Sequence, residues 1–139
     1  MSAPVPFSPT ITLLTAARVW DAAFAEALKP LGLTTRKYGL LGHIRGTPGI
    51  SFSELARRSR ITVQSAHSAV AGFVSSGLVD DGTAQAGAAS TLRVTNAGMK
   101  LLDDAAQAVT GLDVQFAENH PELTEALREH MLRVMSATE

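Results

Sequence analysis

The sequence contains no cysteine, which excludes disulfides, thiolate metal sites and thiol-based redox sensing and fits a reducing compartment. It also has no apolar run approaching the ~18 residues needed to span a bilayer. The opening MSAPVPFSPT has neither a basic leader nor a long apolar core, so no secretory signal is expected. The expectation is a soluble, cytoplasmic protein with no membrane contact. Net charge is lacking too, with 12 Lys and Arg against 13 Asp and Glu, so the chain is not a generally sticky polycation. At 139 residues, 45% of them hydrophobic, there is room for one globular domain and one core, expected over 1–139.

Catalytic and metal-binding constellations are also absent. Ser65, His67 and Ser68 resemble a nucleophile beside a base. Helix positions i and i+2 do not face each other, however, and no carboxylate stands near to orient the imidazole. His43, His67, His120 and His130 lack ligand spacing. His120 and His130 lie among Glu122, Glu125 and Glu129, which read more simply as a solvated acidic helix. Gly46-Thr47-Pro48-Gly49 has no following Gly-Lys-Ser/Thr and reads as a turn rather than a phosphate loop. Asp103-Asp104 reads as helix surface. No enzyme, metal or cofactor is expected.

What the chain does have is an ordered set of short elements between Leu33 and Val79. Ser53 precedes Glu54-Leu55-Ala56-Arg57-Arg58 and is placed to cap a short helix. Ser59-Arg60-Ile61 forms a turn, and Thr62 caps the next helix, with Gln64 and Ser65 in its first turn. Ala66, Val70, Phe73 and Val74 recur at helical spacing as its buried stripe. Gly77 follows, where a left-handed backbone costs glycine least. A strand then begins. This order predicts a mainly α fold with a small β-wing, a winged helix-turn-helix over 33–95 whose second helix enters a major groove. The exposed face of that helix, with Thr62, Gln64, Ser65, His67 and Ser68, carries the candidate base contacts. Such a small polar face is equally that of an ordinary solvated helix.

Charge placement favours DNA. Between Leu33 and Ser76, Arg36, Lys37, Arg45, Arg57, Arg58 and Arg60 face only Glu54. Residues 96–139 reverse the sign, with Lys100, Arg128 and Arg133 against eight carboxylates. A basic middle in a near-neutral chain makes a phosphate-seeking face. Arg36, Lys37, Arg57, Arg58 and Arg60 are its candidate phosphate contacts.

The flanks carry more apolar surface than a small winged domain can bury. Ser8-Pro9 opens a helix running to about Leu28, with Ile11, Leu13, Leu14, Val19, Trp20, Phe24 and Leu28 spread widely around it. Thr95 or Asn96 caps another, broken at Asn119-His120-Pro121. A last helix carries Leu123, Leu127, Met131, Val134 and Met135. The economical account is a homodimer in which segments 8–30 and 96–139 intertwine across a twofold axis. Its DNA would then be a pseudo-palindromic operator.

These features resemble the MarR (multiple-antibiotic-resistance regulator) family of transcription factors over nearly the whole length. Arg18-Val19-Trp20 through Leu31-Gly32-Leu33-Thr34 is similar to the family's first helix and its LGLT junction. Tyr38, Leu40, Leu41 and Ile44 stand at the apolar positions of its second helix. Pro48-Gly49-Ile50-Ser51 and Glu54-Leu55-Ala56 match its PGLS…ELA passage. Gly77-Leu78-Val79, then Leu92-Arg93-Val94-Thr95 and Ala97-Gly98, match the two strands and the following helix start. The resemblance implies a dimeric DNA-binding regulator, most often a repressor. It also implies a small-molecule effector, commonly an aromatic acid or phenol, held between the dimer helices and the winged domain. Trp20, with His43 or Arg45, is the candidate ligand set.

Two departures stand out. Ser68 occupies a recognition-helix position where the family usually has arginine. The wing tip, Gly82 to Ala89, is uncharged above Asp80-Asp81, where the family usually places an arginine for the minor groove. The alternative reading is therefore a degenerate winged-helix protein acting through protein–protein contacts, with weak or no DNA binding.

Overall fold

The computed structural model describes residues 3–82 and 91–138. Among these residues six α-helices run in the order α1 (Pro9–Leu28), α2 (Thr35–Gly46), α3 (Phe52–Ser59), α4 (Val63–Ser75), α5 (Asn96–Asn119) and α6 (Pro121–Ser136), with a 3-10 turn at Lys29–Leu31 after α1. Between α4 and α5, β1 (Val79–Asp80) pairs antiparallel with β2 (Arg93–Val94), setting Val79 opposite Val94 and Asp80 opposite Arg93. The fold is mainly α with a two-stranded wing. Residues 83–90 lie outside the described residues, and with them all of the uncharged tip Gly82–Ala89 except Gly82.

Local chemistry sets the boundaries. The Ser8 hydroxyl accepts from the Ile11 N–H at the start of α1, with Pro9 in the first turn. Thr34 accepts from the Lys37 N–H and opens α2. The cap of α3 is Ser51, which accepts from the Glu54 N–H at 3.1 Å. Ser53, the residue expected to cap this helix, lies one turn position inside it. The helix opens two residues earlier than expected, at Phe52, so the free Glu54 N–H is met by the serine three positions before it. Thr62 caps α4 as expected, accepting from the Ser65 N–H at 3.0 Å. Thr95, not Asn96, caps α5.

Leu40, Leu41 and Ile44 of α2, Leu55 of α3, Ala66, Val70 and Phe73 of α4, and Val79 and Leu92 of the wing form one buried cluster. Leu28, Leu102 and Ala105 extend it into α1 and α5. Val74, expected in the stripe of α4, packs half-buried against it. Among the described residues no charged or polar residue is buried. Gly98 lets α5 approach the wing, since a Cβ there would lie 2.3 Å from the Leu78 carbonyl oxygen. The Thr95 hydroxyl joins the same corner, donating to the Gly77 carbonyl at 2.6 Å. In contrast, α6 packs on α5 and buries no residue.

Candidate nucleic-acid interface

The turn between α3 and α4 aims the second helix. Arg60 takes a left-handed backbone, φ 54°, which costs a non-glycine residue about 1 kcal/mol. The chain reverses there and the Ile61 N–H donates to the Ala56 carbonyl. Thr62 then starts α4 with its first turn exposed, and the Thr62 hydroxyl donates to the Ser65 hydroxyl at 2.9 Å.

Arg36, from the first turn of α2, lies beside this helix start. Together with Thr62, Gln64, Ser65 and Ser68 it lines an open groove of about 440 Å³. One guanidinium, three hydroxyls and one carboxamide thus converge at the positive end of a helix, an arrangement suited to phosphate oxygens and base edges. Lys37 points to the other flank of α4, where it lines a second cavity with Ser68, Phe73, Leu78 and Leu101. His67 lies flat against Phe52 of α3, ring centroids 3.8 Å apart at 16°. The helix face therefore divides: Gln64, Ser65 and Ser68 share the groove with Arg36, while His67 is stacked on the neighbouring helix.

The cations of the basic module are not equivalent. Glu54 gathers two of them, accepting from Arg57 through Nε at 2.9 Å and through Nη2, and from Arg58 Nε at 2.8 Å. These bonds, Arg57's foremost, hold the Glu54 carboxyl down at about 2. Arg58 also donates to the Thr47 hydroxyl. Arg45 faces Asp103 of α5 at 3.5 Å. Among the described residues, the side chains of Arg36, Lys37 and Arg60 form no ion pair. Glu54 was missed as a functional residue, although its spacing to Arg57 and Arg58, three and four positions on, signals such bonds.

The candidate ligand set does not come together within the chain. Trp20 packs edge-on against Phe116, centroids 4.8 Å apart, with His120 at 6.0 Å. His43 lines a separate cavity with Arg36 and Ser59, and Arg45 reaches Asp103. The physical reason is helix direction: Trp20 lies on the part of α1 that faces the far end of α5, whereas His43 and Arg45 end α2 beside its beginning. Among the described residues no cluster of metal-ligating side chains occurs, and no helix is long and apolar enough to cross a membrane.

Helix, turn, recognition-type helix and two-stranded wing, in this order, define a winged helix-turn-helix protein. Residues 31–87 match the model of the MarR family. Similar solved structures include the Mycobacterium tuberculosis MarR family protein Rv2887 in complex with DNA. It is 22% identical, with 94% of this chain and 98% of that one covered and a TM-score of 0.76. The multiple-antibiotic-resistance repressor of Listeria monocytogenes is 25% identical, with 94% of each chain covered and a TM-score of 0.66. MarR from E. coli in its apo form is 19% identical, covering 94% of this chain and 98% of that one, with a TM-score of 0.75. No curated protein matches the sequence significantly.

Proposed function

We propose that this protein is a homodimeric, DNA-binding transcriptional regulator, a repressor whose hold on a pseudo-palindromic operator is altered by a small aromatic effector. The observation that carries the reading is the groove in which Arg36 joins Thr62, Gln64, Ser65 and Ser68 at the exposed start of α4. α4 enters the major groove with Gln64, Ser65 and Ser68 toward base edges, while Arg36 and Arg60 take phosphates on either side. His67 contributes by bracing α4 on α3. Arg57 and Arg58 are reserve phosphate contacts held by Glu54, and Lys37 stands at the rim.

The dimer rests on the apolar surface left open by one chain. Ile11, Leu13, Leu14 and Val19 of α1, Val114 of α5, and Met131, Leu132 and Met135 of α6 are all exposed. A second copy covers them, and 8–30 and 96–139 act as the dimerisation segments of a single domain. The similar protein Rv2887 has been crystallised with DNA, with salicylic acid and with p-aminosalicylic acid, which supports both the DNA and the effector parts of the reading.

A shift assay on the DNA upstream of the gene, across a salt series, tests it. Gln64→Ala is expected to relax preference at one base position by ~1–3 kcal/mol. Arg36→Ala is expected to weaken all sequences alike and to flatten the salt slope by about one phosphate contact. Absence of any salt-dependent shift by the wild-type dimer would instead favour the scaffold acting through protein–protein contacts.

A further inference from the structure

A groove of about 470 Å³ runs between α1 and α5. Trp20, Phe24, Leu112 and Phe116 wall it, and among the described residues the only charged groups on it are the carboxylates of Asp21 and Asp113. Neither carboxylate forms an ion pair among the described residues. Arg128 of α6, which lines a neighbouring groove with Asp113, is engaged by Glu125 at 2.5 Å. Aromatic faces carry negative potential and attract cations, and two unpaired carboxylates add to that potential. An aromatic acid placed here would meet two like charges, with His43 and Arg45 both elsewhere.

We propose that the α1–α5 groove binds an amphipathic organic cation, an aromatic or aliphatic body bearing an ammonium group. The body lies on Trp20 and Phe116, and the charge lies between Asp21 and Asp113. This deepens the effector part of the regulator reading and rests on it for its consequence, though not for its test. It also inverts the charge expected of the ligand.

Trp20 is the chain's single tryptophan and lines this groove, so its fluorescence reports on it. The full-length protein is titrated with benzyltrimethylammonium and, separately, with phenylacetate. The cation is expected to change Trp20 emission saturably and phenylacetate to leave it unchanged. Asp21→Asn with Asp113→Asn is expected to weaken the cation about fivefold or more, and high salt to weaken it in the wild type. Light scattering on the variant confirms that assembly is retained. Saturable binding of phenylacetate in place of the cation overturns the proposal. So does an undiminished affinity in the doubly substituted protein, or no response to either probe because a second copy fills the groove. No DNA enters this measurement, so failure of the regulator reading appears separately, in the shift assay.

Discussion

Glu54 decides how much of the local positive charge reaches outward. Its carboxylate is held at about 2 by Arg57 first and Arg58 second, against an ordinary value of 4.5. A depressed folded-state value means that the ion pairs contribute fully above pH 4.5 and are lost as pH falls through about 2. All three side chains are solvent-accessible, so the contribution is small. Glu54→Gln should flatten the stability profile across that acid window, as read by thermal melts at a series of pH values. The same change releases two guanidinium groups. Non-specific DNA affinity should rise and the salt slope steepen by about one to two phosphate contacts. An unchanged slope would mean that Arg57 and Arg58 lie off the DNA path. Counting charges along the sequence overstates the basic face because it cannot weigh such pairing.

At the level of the element, the helix-turn-helix was readable because its determinants are local. Thr62 before Val63, Gly77 after α4 and Pro121 at the first position of α6 each act within a few residues of themselves. The same locality bears on the shift from Ser53 to Ser51, where two serines stood two positions apart and the helix opened after the earlier one. The candidate ligand set was not readable in this way. Trp20 meets Phe116 and Arg45 meets Asp103 only through the way α1 and α2 lie along α5, and no short pattern encodes that. Gly98 lies between the two cases, since Ala97-Gly98 was matched as a motif but its cause is tertiary. A methyl group at Gly98 would meet the Leu78 carbonyl at 2.3 Å and Val94 Cγ1 at 2.5 Å. Both are fixed parts of the wing corner, so Gly98→Ala should destabilise the fold by about 1–3 kcal/mol. Denaturant unfolding should give a lower midpoint with an unchanged slope. A neutral result would show that the corner can open at no cost.

For the whole molecule, the chief feature is the mismatch between a closed core around α2–α4 and the uncovered apolar surface of α1 and α6. Met131 is 54% and Met135 62% exposed, and α6 buries nothing. If α6 served only its own chain, deleting residues 122–139 would cost little. If it covers a second copy, the deletion should yield a monomer or an aggregate, seen directly by light scattering. Thermal stability of the intact protein should then rise with protein concentration, because association draws on the folded state. A truncated protein that remains a well-behaved dimer would refute the assembly.

The Thr95 hydroxyl bonds the Gly77 carbonyl just past α4, and its oxygen accepts from the Gly98 N–H inside α5. One side chain thus pins the base of the recognition-type helix to the root of a 24-residue helix. At ~1.5 Å per residue that helix is ~36 Å long, and a tilt of about 5° swings one end by ~3 Å relative to the other. Successive base pairs are ~3.4 Å apart. In the proposed dimer α5 is therefore a lever with its fulcrum in the dimer body. A small change in its angle would carry each α4 nearly one base pair out of step with its half-site, with no rearrangement inside the winged module itself.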